Sequence, residues 1–196
     1  MGGHAPLLEL HGVGCERDAR VLFAGLDVAL GAGECLELRG PNGSGKSTLL
    51  RIVAGLHPDY QGTIRAADSL YVGHRPGVSP VLTAEENLRW YASLCGADGA
   101  VAPALERVGM AGYERVPCQQ MSAGQQRRVA LARLALCRAP VWLLDEPLTA
   151  LDAAGQRLVA SLIASQLAQG GAVVCATHQP LALAGSRIIE LGAGAA

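Results

Sequence analysis

The stretch Arg39-Gly40-Pro41-Asn42-Gly43-Ser44-Gly45-Lys46-Ser47-Thr48 has residue types and spacing suited to holding a triphosphate. From Gly40 to Ser47 it fits G-x-x-x-x-G-K-[ST]. Gly43 and Gly45 let the backbone turn its N–H groups inward around phosphate oxygens. The helix expected to start beyond the loop adds the positive end of its dipole. Lys46 is the only lysine in the chain, and the fifteen other basic side chains are arginine. A compact ammonium on a flexible stem reaches between β- and γ-phosphates, where a planar guanidinium is bulkier. The Ser47 hydroxyl is a hard oxygen ligand suited to Mg²⁺. The ligands implied are ATP and Mg²⁺, with residues 40–48 as the cradle.

Hydrolysis needs further groups, and the sequence offers them in order. Val141-Trp142-Leu143-Leu144 is an apolar run that ends in Asp145 and Glu146. At the carboxyl end of a buried strand, Asp145 faces the nucleotide crevice and can hold a metal-bound water. Glu146 can orient or deprotonate the attacking water. His178 follows the next buried strand, and it can contact the γ-phosphate and steady Glu146.

A second anion site is suggested by Met121-Ser122-Ala123-Gly124-Gln125. Ser122 and Gln125 form a capping box, so the local reading is a helix start. Gly124 in the first turn costs about 1 kcal/mol against alanine. A small residue there allows something to approach the backbone. One chain with one triphosphate loop has no evident use for a second anion site. A head-to-tail homodimer has one: the loop of one copy and the helix end of the other, with ATP between them.

These residues require a frame. Strands are expected at 7–10, 28–30, 35–38, 63–64, 69–72, 141–144, 172–176 and 188–191. The helix 47–54 should close at Gly55. The capping box Thr83-Ala84-Glu85-Glu86 opens a helix to about Cys95, followed by helices at 101–108, 122–137 and 153–168. Strand–helix alternation at both ends with a helical block between predicts one α/β domain with a helical insertion at roughly 83–137.

Composition agrees. Half of the 196 residues are apolar, with a single Phe. The net charge of −1 and the lack of a basic tract argue against a bulk nucleic-acid binder. The start, MGGHAPLLEL, has neither a basic segment nor an apolar signal core, and Pro6 replaces the Ser or Thr that myristoylation of Gly2 would want. No uncharged apolar run reaches the ~18 residues of a membrane span. Cys15, Cys35, Cys95, Cys118, Cys137 and Cys175 form no C-x-x-C pair and are expected to be reduced thiols acting as small hydrophobes. Cys175 and His178 lack a second ligand pair, so a metal site there is not expected.

The sequence MSAGQ, with Asp145-Glu146-Pro147, Leu151-Asp152 and Thr177-His178, resembles the signature, Walker B, D-loop and switch motifs of the ATP-binding-cassette family over nearly the whole chain. Within that family, CERDARVLFAGL, VGHRPG, LTAEENL, SAGQQRRVALARL, DEPLTALD and ATHQP together resemble the ATP-binding subunits of cytochrome c maturation systems. The resemblance implies a P-loop NTPase fold of ABC type: a mixed β core and a helical subdomain that carries the signature. It implies an ATPase that dimerises through ATP and binds integral membrane subunits on the cytoplasmic face of the inner membrane. Hydrolysis would power either haem export or release of a haem-loaded chaperone. It implies nucleotide contacts from Ser122, Ala123, Gly124, Gln125 and Asp152, with Lys46, Glu146 and His178 catalytic and Ser47 and Asp145 at the metal. No C-x-x-C-H occurs, so haem attachment to this chain is not expected.

Three positions depart from the general family. Ala123 stands at the second signature glycine. His74 stands where a glutamine is usual; histidine can bond water or phosphate but is a doubtful magnesium ligand. Arg17 falls near the usual adenine-stacking aromatic and can stack through its guanidinium plane. The loop 74–82, with Val78 and Leu82, is a candidate for membrane-subunit docking. The alternatives are another ABC exporter's motor, a soluble ABC ATPase acting on ribosomes or DNA, and a small-molecule phosphate-loop kinase.

Overall fold

A computed structural model describes residues 5–97, 100–181, 183 and 185–192; Gly2 lies outside them. The elements in chain order are β1 (Leu8–Arg17), β2 (Arg20–Leu30), β3 (Cys35–Arg39), α1 (Lys46–Val53), β4 (Gln61–Ala66), β5 (Ser69–Val72), α2 (Ala84–Cys95), α3 (Val101–Arg107), a 3-10 turn (Cys118–Gln120), α4 (Ala123–Leu136), β6 (Val141–Asp145), α5 (Ala153–Ala168), β7 (Ala172–Ala176) and β8 (Arg187–Glu190). The chain divides into two compact units. Of the described residues, one unit holds those within 1–74, 139–146 and 163–196, and the other those within 75–138 and 147–162.

The first unit contains both sheets. β6 and β7 are short apolar runs without alternation, and they and β3, which carries Glu37 inside, are buried almost throughout. Only a sheet covered on both faces suits such strands, and the sheet is parallel, in the order β5-β6-β7-β3-β8. A smaller antiparallel sheet has the order β2-β1-β4. Helix α1 buries Leu49, Leu50, Ile52 and Val53 along one face. They join Leu8, Leu10, Leu36, Leu38 and Leu143 in a core shared by both sheets. Gly55 takes a φ of 69° just past the helix, as its position after the apolar run predicts. Leu50 is fully buried in this core, so Leu50→Ala should destabilise the protein by about 2–5 kcal/mol, read as a lower urea midpoint.

β1 and β2 are far longer than the sequence suggests. Their ladder is interrupted by register shifts near Val13 and Cys15. These bulges break the two-residue alternation on which strand recognition depends. The strands are joined by Asp18 and Ala19, at φ values of 51° and 59°, the left-handed pair of a tight hairpin turn.

In the second unit, capping boxes at Thr83/Glu86 and Ser122/Gln125 start α2 and α4 as expected. Helix α4 is buried around most of its circumference, with Val129, Ala130, Leu131, Ala132, Leu134 and Leu136 inside. Two arginines are buried with them. Arg133 lies over the Tyr91 ring at 4.3 Å, and Arg127 donates to the Pro147 carbonyl at 3.4 Å.

The cysteines require one correction. Cys15, Cys35, Cys118 and Cys175 are free and buried, and burial pushes the Cys35 thiol up to about 12. Cys95 and Cys137, however, are joined as a disulfide between the ends of α2 and α4. The sequence hides this because the two cysteines are 42 residues apart and no local motif signals the pairing.

Candidate functional site

The parallel register brings the phosphate loop, the acids and the histidine to one end of one sheet. Leu38 of β3 and Asp145 of β6 both pair with Ala176 of β7, so the three strands finish at the same level. The chain leaves β3 into Gly40, β6 into Glu146 and β7 into Thr177, all at the carboxyl edge where α/β sheets bind ligands.

The loop is shaped by close packing. Gly45 sits at φ 96°, and a Cβ there would stand 2.8 Å from Phe23, the chain's one phenylalanine. No side chain fits that position. Lys46 is buried, and its Nζ donates to the carbonyls of Gly40 (2.7 Å) and Pro41 (2.9 Å). The ammonium therefore already reaches back across the loop interior. The Ser44 hydroxyl is buried in the same loop and meets no hydrogen-bond partner among the described residues. A buried orphan hydroxyl fits a phosphate oxygen as its missing acceptor.

Asp145 is 1% exposed. Its Oδ1 accepts from the Ser47 hydroxyl at 3.0 Å, and its Oδ2 accepts from the Tyr71 hydroxyl at 3.3 Å. Burial raises the Tyr71 phenol above its ordinary value, so the group remains a donor to the carboxylate. Ser47 and Asp145 thus present facing hard oxygen donors, the ligand type that Mg²⁺ takes.

Glu146 adopts a φ of 50°, an uncommon value for a residue with a side chain. Its N–H donates to the Ala176 carbonyl at 2.9 Å, which fixes the turn out of β6. Its Oε1 lies 3.1 Å from His178 Nε2. His178 is placed by a local turn in which the Thr177 hydroxyl accepts from the Gln179 N–H (3.1 Å) and donates to the Gln179 carbonyl (2.7 Å). Lys46, Ser47, Asp145, Glu146 and His178 therefore all belong to one unit, and direct contacts join Ser47 to Asp145 and Glu146 to His178.

Ser122, Ala123, Gly124 and Gln125 belong to the other unit, where they line a cleft of about 690 Å³ with Arg128, Ala150, Leu151 and Asp152. The Ser122 hydroxyl accepts from the Gln125 N–H at 3.2 Å. Asp152 accepts from the Gly155 N–H (2.8 Å) and from Arg128 (3.1 Å). The Gly155 bond, aided by the Arg128 charge, holds the Asp152 carboxyl below its ordinary value. A Cβ at Gly124 would stand 2.9 Å from the Ala150 carbonyl, so the chain's own loop makes the close approach.

Arg17 lies at the exposed tip of the β1–β2 hairpin beside Asp18. His74 lies on exposed chain two residues beyond β5. In the loop that follows, Val78 and Leu82 are half-buried, and the strongly exposed apolar residue is Val81, at 70%. Sequence reasoning did not reach Tyr71 or Arg128. Their partners become visible only when β5 pairs with β6 and α4 packs beside residues 147–152.

The ABC transporter family model matches residues 23–149, and the chain belongs to this family of ATP-binding proteins and is an ATPase. Among its members, the chain is 47% identical to the Cytochrome c biogenesis ATP-binding export protein CcmA of Pseudomonas putida (strain KT2440) over 202 residues, 95% of this chain and 96% of that protein. It is likewise 47% identical to CcmA of Escherichia coli O157:H7, over 93% of this chain and 94% of that one. A solved ATP-binding subunit of an ABC transporter superposes with a TM-score of 0.84 at 23% identity, covering 94% of this chain and 85% of that one, a likeness of fold. No helix among the described residues is long and apolar enough to cross a membrane.

Proposed function

We propose that this chain is the ATPase subunit of a membrane complex for cytochrome c biogenesis, and that a homodimer of it converts ATP hydrolysis into haem export or release of a haem-loaded chaperone. The observation carrying this reading is the convergence of Lys46, Asp145, Glu146 and His178 at one sheet edge in a CcmA-like sequence. The whole chain acts as one cassette, with the helical segment as its signature-bearing part. Its place is the cytoplasmic face of the inner membrane, against integral membrane subunits.

In the ATP-bound state, Lys46 exchanges the Gly40 and Pro41 carbonyls for β- and γ-phosphate oxygens. The Ser44 hydroxyl and the loop N–H groups add neutral donors, and residues 40–48 enclose the phosphates. Ser47 and Asp145 would hold Mg²⁺, which would supply charge neutralisation on the phosphates. Arg17 would stack on the base, and His74 would hydrogen-bond water or phosphate. Glu146 accepts a proton from the attacking water, and His178 holds the carboxylate in place. The transferring phosphoryl needs mainly positioning and charge stabilisation, which this set provides.

The second half of the nucleotide site comes from a partner copy, through its Ser122, Ala123, Gly124 and Gln125, with its Asp152 close by. The capped start of α4 offers N–H groups and a hydroxyl to the γ-phosphate. The Ser122→Ala variant tests this. ATPase turnover at high protein concentration should fall about 100-fold, a loss typical of removing an oxyanion-type donor. Nucleotide affinity of the dilute monomer should change by less than about threefold, under 1 kcal/mol. Equal loss in both measurements would remove the dimer from the reading.

A further inference from the structure

Nothing in ATP hydrolysis calls on Cys95 and Cys137. Cys95 ends α2 and is exposed, whereas Cys137 caps α4 and is buried. Their Cα atoms are 5.7 Å apart, a spacing at which two cysteines bond without backbone movement. We propose that this pair is a thiol–disulfide exchange site, oxidised by a small disulfide of the glutathione class, and that its state sets how firmly the segment after His74 is held.

Tyr91 links the two ends of the argument. Its carbonyl lies 3.1 Å from Cys95 Sγ and 3.9 Å from Cys137 Sγ, so it can accept from either thiol after reduction. Its ring carries the Arg133 guanidinium, and its hydroxyl donates to the Gly77 carbonyl at 2.8 Å. Arg133 in turn donates to the Pro76 carbonyl at 2.9 Å. The last turn of α2 therefore organises residues 76–77. Yet that turn has little to hold it. Of the buried residues in α2, only Ala92 lies beyond Leu88, while Trp90 and Leu94 face solvent. The last turn of α2 contains no basic residue of its own to complement the dipole. Without the covalent tie, the turn falls among the easily opened parts of a structure.

The chemistry balances within the pair and its oxidant. The exposed Cys95 thiolate attacks one sulfur of RSSR, forming a Cys95–S–SR bond and expelling RS⁻, which takes up the proton Cys95 gave up. The Cys137 thiolate then attacks the Cys95 sulfur and expels the second RS⁻, which is protonated in turn. Two protein thiols are oxidised to one disulfide, and RSSR is reduced to two RSH. The exchange and the ordering of 76–77 do not depend on the proposed export role, so failure of either proposal is distinguishable from failure of the other.

The test uses the intact protein, reduced, freed of reductant, and treated with oxidised glutathione. Peptide mapping should find one glutathione on Cys95 in Cys137→Ser, none on Cys137 in Cys95→Ser, and the closed pair in the unaltered chain. Hydrogen exchange at Gly77 and at residues 91–97 should run about tenfold faster in the reduced chain than in the oxidised one. The Cys95→Ser, Cys137→Ser double variant should exchange at the fast rate under both conditions. A glutathione adduct on Cys137 in Cys95→Ser, or failure of the pair to close, would overturn the exchange site. Closure with unchanged exchange at Gly77 would overturn its link to the loop.

Discussion

Lys46→Ala should weaken ATP binding by about 100-fold or more, enough to abolish binding at micromolar nucleotide, when measured by calorimetry on the isolated chain. Charge-assisted hydrogen bonds contribute about 1.5–3 kcal/mol each, and the ammonium is placed to make two of them to the phosphates. The fold should survive, because the hydrogen bonds the ammonium gives up among the described residues are those to the Gly40 and Pro41 carbonyls of its own loop. Lys46→Arg should rescue little, since the planar guanidinium does not fit where the compact ammonium folds back. Retained affinity in Lys46→Ala would mean that the phosphates bind elsewhere.

Glu146→Gln should leave ATP affinity near that of the unaltered chain and lower turnover by 10²–10⁴-fold, the range expected for loss of a general base. The amide still reaches His178, so the turn at φ 50° should be unchanged, and with it the position of Asp145. With hydrolysis blocked, ATP should accumulate the dimer, read as a doubling of mass by light scattering. A variant that stays monomeric with ATP and turns over at the normal rate would contradict both the base and the dimer.

The chemistry was more legible in the sequence than the geometry that assembles it. Lys46, Asp145, Glu146 and His178 lie beside short apolar runs or glycines whose spacing marks strand ends, and the parallel register brings those ends level. Capping boxes fixed the starts of α2 and α4, because a cap is a local hydrogen-bond pattern. What escaped was long-range. The bulges in β1 and β2 erased their alternation, and the Cys95–Cys137 bond had no local signal. Tyr71 became part of the site only through pairing of β5 with β6. That the close approach expected at Gly124 comes from the Ala150 carbonyl is likewise visible only in the folded chain.

The level finish of β3, β6 and β7 divides the sheet into a working rim and a tolerant one. At the far rim, Gly33 donates to the Gly171 carbonyl at 2.8 Å in turns that carry no reacting group. Changes of length at that rim can be absorbed before the ladder begins. One residue lost inside β7 cannot, for the two-residue pleat would turn His178 away from Glu146 and strand both.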